Sequence, residues 1–166
     1  MTATPEGKWV LREAVASDVT AIMEHEREIF PDDAWSVQTM GAELGNPHCY
    51  YLVATPADNP DRIDAYAGLM APVGSTDADI QTIAVASAAR RNGVGRALLT
   101  ELIHEASRRG ASGVFLEVRA DNPSAQNLYE SLGFTTIAVR PHYYQPAGVD
   151  ATVMRLVLSD EKNGVE

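Results

Sequence analysis

The chain contains a single cysteine, Cys49, so no internal disulfide framework can hold it together. No apolar run approaches the roughly 18 residues needed to cross a bilayer. The first residues, Met1-Thr2-Ala3-Thr4-Pro5-Glu6, have neither the basic start nor the apolar stretch of a secretory leader. A cytoplasmic protein without membrane contact is the expectation. Metal chemistry finds little to use: His25-Glu26 and His104-Glu105 lack the second histidine of a zinc helix, and His48 and His142 are solitary. No metal is expected. No Gly-x-Ser-x-Gly elbow presents a nucleophilic serine. Cys49, beside Tyr50 at the start of an apolar stretch, reads as an inert buried thiol.

What is present describes a globular chain. Hydrophobic residues make up 45% of 166 positions and charged residues 22%, which argues against disorder. One domain over residues 1–158 is expected, with 159–166 a polar, flexible tail. The net charge of −10 is unevenly distributed. Residues 1–79 hold 14 acidic and 4 basic side chains, whereas residues 80–166 hold 9 of each. An acidic first half repels a nucleic-acid backbone and attracts cations, so no nucleic-acid partner is expected. A solvated, solubilising surface explains many of the same acids.

Residues 80–110 organise the rest. Ile80 to Val85 is β-branched and apolar enough for a buried strand. Arg90-Arg91-Asn92-Gly93-Val94-Gly95-Arg96 follows, and its two glycines let backbone N–H groups approach a ligand. Ala97, Leu98, Leu102, Ile103 and Ala106 then recur at helical spacing, with Gly110 as the stop. Unpaired N–H groups at a helix start, together with three arginines, form an anion site suited to a pyrophosphate. A P-loop would need a lysine here, and a dinucleotide fingerprint would need glycine where Leu98 stands. An ordinary strand–helix turn remains the alternative.

Around this unit, strands are expected at 9–12, 50–54, 63–70, 114–119, 135–139 and 151–158, and helices from 18 to 30, from 36 to 45 and from 122 to 133. Phe30 and Trp35, in the break after the first helix, suit either core or a substrate wall. The pattern predicts an α+β fold: a mixed central sheet of six or seven strands with about four helices.

Two side chains suit acid–base chemistry. Glu117 lies between Leu116 and Val118 on an apolar strand, where desolvation makes a carboxylate a stronger base. A buried salt bridge to Arg119, on the same face, is the alternative. Tyr129, on an apolar helix face, has a hydroxyl that stays protonated at neutral pH and can protonate a leaving group. Core packing is the alternative. Asn122 can cap the helix it precedes or bond an amide of a ligand.

Arg90-x-x-Gly93-x-Gly95, the stretch Phe115-Leu116-Glu117-Val118-Arg119-Ala120-Asp121-Asn122-Pro123-Ser124-Ala125 and then Leu128-Tyr129-Glu130-Ser131-Leu132-Gly133-Phe134 together resemble a known family. It is the acetyl-CoA-dependent GNAT N-acetyltransferases, in the branch that acts on ribosomal-protein alanine, the RimI type. Arg140-Pro141-His142-Tyr143-Tyr144 and Phe30-Pro31 followed by Trp35-Ser36 are similar too. The likeness is specific from 80 to 144. It implies the GNAT fold, acetyl-CoA as co-substrate, and a protein N-terminus as acceptor, such as a small-subunit ribosomal protein. It further implies that Ile83, Ala84 and Val85 offer backbone groups to the acetyl and pantetheine parts. Arg91, Asn92, Gly93, Val94, Gly95 and Arg96 would wrap the pyrophosphate, and Asn122 would hold the pantetheine arm. Glu117 falls at the general base, Tyr129 at the general acid, and Trp35, Tyr143 and Tyr144 along the peptide groove. A lysine or small-molecule amine as acceptor, or a silent acyl-CoA-binding or partner-binding module, are the rival readings. The chain departs from the branch at Asp32-Asp33-Ala34 and at Gln81-Thr82, both where a substrate peptide would pass.

Overall fold

The computed structural model describes residues 2–158, so the expected tail at 159–166 lies outside the described residues. The strands are β1 (Thr2–Ala3), β2 (Trp9–Glu13), β3 (Cys49–Pro56), β4 (Ala65–Met70), β5 (Asp77–Val85), β6 (Gly113–Arg119), β7 (Thr135–Tyr144) and β8 (Val149–Val157). The helices are α1 (Val19–Ile29), α2 (Val37–Leu44), α3 (Val94–Arg108) and α4 (Pro123–Ser131). All eight strands join one sheet in the order β1-β2-β3-β4-β5-β6-β8-β7. Every pairing is antiparallel except β5 with β6, which α3 connects as a crossover. The four helices match expectation. The strand count exceeds it by the two-residue β1, too short to carry a periodic signal.

Alternation along the central strands sorts the core into two layers. Leu52 and Ala54 of β3 and Ala65, Ala67 and Leu69 of β4 face α3 and α4, joining Leu98, Leu102 and Phe134. Tyr51, Val53 and Tyr66 face the other way, against Ile22 and Met23 of α1 and Met40 of α2. Among the described residues no helix is long and apolar enough to cross a membrane.

One irregularity creates the site. The parallel ladder between β5 and β6 holds only Asp77–Asp79 against Gly113–Phe115. Beyond it no ladder joins the two strands, although β5 continues to Val85 and β6 to Arg119. On its other edge β5 carries a bulge: Thr82 pairs with Gly68 and Ile80 with Leu69, leaving Gln81 as the extra residue. Bulges bend a strand and add local twist, and this one lies where β5 parts from β6. The Gln81 side chain is fixed on both sides, accepting from the Tyr51 hydroxyl at 2.7 Å and donating to Glu43 at 2.6 Å.

β7 runs to Tyr144 instead of stopping near Val139. It is the edge strand, so Pro141 costs no interior ladder bond there.

Candidate active site

The parted strands open a cavity of about 970 Å³. One end is formed by the turn into α3. Arg91 and Gly93 both have positive φ, 64° and 79°, and Gly93 caps the helix. The turn therefore curls its amides inward, an arrangement that suits anions. None of the N–H groups from Arg91 to Arg96 meets an acceptor among the described residues; the first helical bond runs from the Ala97 N–H to the Gly93 carbonyl. Arg90, Arg91 and Arg96 add positive charge at the rim.

The arginines and Asn92 have local duties as well. Arg90 donates from Nε to the Val85 carbonyl at 3.0 Å, and Arg96 from Nη2 to the Ser131 hydroxyl at 2.7 Å. Asn92 does not line the cavity. Its side-chain amide donates to the carbonyls of Ala89 and Arg90, so it shapes the turn from behind. Arg91, Gly93, Val94, Gly95 and Arg96 do line the cavity, as do Ile83, Ala84 and Val85 on the wall where β5 has no β6 partner. Asn122 lines it while its Oδ1 accepts from the Ala125 N–H at 3.2 Å, so the expected cap is present.

The other end gathers Glu117, Tyr129, Trp35, Tyr143 and Tyr144. Tyr129 is 6% exposed and packs edge-to-face on Phe134 at 5.9 Å. Burial, and after it Tyr144, raises the Tyr129 hydroxyl above its ordinary value. Its proton is therefore held at neutral pH. Tyr144 is pushed up to about 12, first by burial and then by Glu117. Tyr143 and Tyr144 stand edge-to-face at 5.0 Å.

Glu117 departs from the sequence expectation in two respects. It is not desolvated: its side chain is 30% exposed. Nor does it pair with Arg119. That guanidinium binds Asp121 through Nε at 3.0 Å, lies 3.7 Å from Asp33 and sits over the Tyr144 ring. The cation on Glu117 is Arg140, from the edge strand. Strand periodicity placed Arg119 on the right face but could not reveal the partners arriving from other elements.

Asp33 lines the cavity, on the substrate path where the sequence put Asp32-Asp33-Ala34, whereas sequence reasoning missed Glu26 as a cavity-lining residue. Glu26 is 1% exposed, whereas its neighbours Glu24 and Glu28 on the same helix are solvent-exposed. Its three-residue offset from Met23 on α1, both buried, was the available signal. The cavity lining thus combines the arginines and free N–H groups of the turn into α3 with Glu26, Asp33 and Glu117, of which Asp33 and Glu117 already meet Arg119 and Arg140.

A splayed mixed sheet whose gap meets a glycine-capped helix start defines the class, and comparison with known proteins gives it a family. Residues 19–134 match the description "Acetyltransferase (GNAT) family". The chain belongs to the GNAT acetyltransferase family, and by class it is an acetyl-CoA-dependent N-acetyltransferase. Within it, the chain is of the RimI type. It is 37% identical over 143 residues to the N-alpha-acetyltransferase RimI of Mycobacterium tuberculosis, covering 84% of this chain and 86% of that one. The crystal structure of the Escherichia coli ribosomal-protein-S18-alanine N-acetyltransferase superposes with a TM-score of 0.79 at 31% identity, covering 91% of this chain and 94% of the other. An uncharacterised Mycobacterium leprae protein, ML0378, is 39% identical over 143 residues; these span 84% of this chain but only 38% of that longer protein.

Proposed function

We propose that this protein transfers acetyl from acetyl-CoA to the α-amine of a protein N-terminus, that of the alanine of a small-subunit ribosomal protein, within one domain over residues 1–158. The observation that carries the reading is one cavity lined both by the arginine- and N–H-rich turn into α3 and by Glu117 and Tyr129. The cationic, N–H-rich turn suits the pyrophosphate of CoA, and the carboxylates of Glu26, Asp33 and Glu117 suit an ammonium that competes with Arg119 and Arg140. The relatives named for N-terminal acetylation support the same acceptor.

Attack is direct, in a ternary complex. Glu117 takes a proton from the ammonium, and the freed amine nitrogen bonds to the thioester carbonyl carbon. The carbon–sulfur bond then breaks, Tyr129 gives its proton to the departing thiolate, and the second nitrogen proton passes to solvent as the amide forms, from which Tyr129 is reprotonated. Ile83, Ala84 and Val85 present backbone groups to the acyl and pantetheine parts, and Asn122 supports the arm. Arg91, Gly93, Val94, Gly95 and Arg96 hold the pyrophosphate, with Asn92 fixing the turn behind them. Trp35, Tyr143 and Tyr144 shape the peptide groove. A chain of net charge −10 takes a protein rather than a nucleic acid as partner, and the chemistry belongs to the cytoplasm.

The test is incubation with acetyl-CoA and peptides beginning Ala, Ser, Met or Gly, alongside a lysine peptide blocked at its N-terminus. Mass spectrometry locates the acetyl group. It is expected on the α-amine of the Ala peptide; acetyl on the lysine peptide alone refutes the acceptor assignment.

A further inference from the structure

Three carboxylates are buried among the described residues: Asp18, Glu26 and Asp64. Two have an arginine. Asp18 receives both terminal nitrogens of Arg12 at 2.8 and 2.9 Å, and Asp64 receives Arg62 at 2.9 and 3.1 Å. Glu26 is the most buried of the three, and no cation lies within ion-pair distance of it among the described residues. A carboxylate removed from water without a cation is disfavoured unless its hydrogen bonds compensate. Glu26 has two: the Tyr66 hydroxyl donates to Oε1 at 2.5 Å, and the Trp35 N–H donates to Oε2 at 2.9 Å.

The two donors differ in kind. Tyr66, the second residue of β4, is fully buried and outside the cavity wall, and is a fixed point of the core. Trp35 belongs to the segment between α1 and α2 and lines the cavity. That segment is held by the Asp33 N–H on the Phe30 carbonyl at 3.3 Å, by Asp33 lying 3.7 Å from Arg119, and by Phe30 and Trp35 packing on the core. α1 closes with the Phe30 N–H on the Glu26 carbonyl, and the next helix starts only where Ser36 Oγ accepts from the Thr39 N–H. Between them, the Trp35 amide on Glu26 is the one backbone tie to a buried side chain among the described residues.

We propose that Glu26 is a positioning residue for the acceptor: it clamps Trp35 to Tyr66 and so holds the α1–α2 segment as a fixed wall of the acceptor end. This rests on the acetyl-transfer reading above. The clamp works by length and hydrogen bonding. Aspartate is one methylene too short to serve both donors. Glutamine serves both, because its oxygen accepts from the Trp35 N–H while its amide donates to the Tyr66 oxygen.

The experiment measures binding by calorimetry. The probes are CoA alone and two covalent conjugates, in which an acetyl bridge joins CoA to the α-amine of an N-terminal alanine peptide or to a lysine side chain. The gain in affinity of a conjugate over CoA reports the acceptor end. In Glu26→Asp and Glu26→Leu this gain is expected to fall at least ten-fold, with CoA affinity within two-fold of the unmutated protein. Glu26→Gln should restore the gain to within three-fold. In a Trp9→Phe background, where Trp35 is the sole tryptophan, Trp35 emission should shift to the red in Asp and Leu variants but not in Gln. A folded Glu26→Asp protein with an undiminished gain overturns the proposal. Equal losses for CoA and conjugate also overturn it, because they indicate general destabilisation. Should Glu26→Leu fail to fold, the Asp and Gln variants decide. If only the lysine conjugate outbinds CoA in the unmutated protein, the α-amine assignment falls and the clamp is judged on that conjugate. If neither outbinds CoA, both proposals fall.

Discussion

Arg140 and Glu117 form an ion pair that reaches over an intervening strand. Arg140 is on β7 and Glu117 on β6, with β8 between them, yet Nη1 lies 2.5 Å from Oε2. The same guanidinium sits over the Tyr143 ring at 5.0 Å. The proposed base thus carries a cation before any acceptor arrives, and an incoming ammonium must displace it. Side-chain exposures of 55% and 30% keep the pair weak, at about 1 kcal/mol or less. Arg140→Gln should therefore lower the acceptor KM, by about five-fold at most, with acetyl-CoA affinity unchanged. A raised acceptor KM would show that Arg140 assists the acceptor instead.

Glu117→Gln should lower kcat by about 100-fold or more, the range expected when a general base is lost. Acetyl-CoA affinity should be retained, because Glu117 on β6 is no part of the anion cradle at the turn into α3. Equilibrium binding beside steady-state kinetics separates the two effects.

Tyr129→Phe should lower kcat by a similar factor with almost no change in Tm. The hydroxyl has no hydrogen-bond partner among the described residues, while the ring and its contact with Phe134 persist in phenylalanine. A loss of stability matching the loss of rate would make Tyr129 a core residue only.

Gly93→Ala places a side chain at φ 79°, with nothing within 4 Å of the new Cβ. The penalty is purely conformational, about 1–2 kcal/mol, and should appear in both Tm and CoA affinity. Gly68→Ala is the opposite case. Its Cβ would fall 2.1 Å from the Tyr51 ring, so Tyr51 must leave and release Gln81 at the bulge. A loss of about 1–3 kcal/mol is expected from overpacking, measurable by denaturant unfolding.

The Asp18–Arg12 pair predicts a pH dependence of stability. The hydrogen bonds from Arg12, opposed by burial and aided by the Val15 N–H, hold the Asp18 carboxyl below its usual range. A group depressed on folding stabilises the protein above its unfolded value, about 3.9, and loses that contribution as pH falls through the folded value. Arg12→Met should cost about 2 kcal/mol at neutral pH, and the gap to the unmutated protein should narrow below about pH 4. Thermal unfolding across pH 2.5–7 checks it.

Features governed by neighbours in the chain were legible in the sequence. The helices follow from apolar spacing and end signals, and the Asn122 cap from an asparagine before proline. The anion cradle follows from Gly93 in a turn that demands positive φ. Each rests on backbone geometry within a few residues, which residue types report directly. The site's electrostatics depended on register between distant strands. The short parallel ladder and the Gln81 bulge part β5 from β6, and neither leaves a local trace. Arg119 is drawn to Asp121, Asp33 and Tyr144, leaving Glu117 to Arg140. Glu26 turns inward because Tyr66 and Trp35 meet it there. Residue spacing fixes which face a side chain shares; only packing between elements far apart in sequence decides which charge, ring or amide waits on that face.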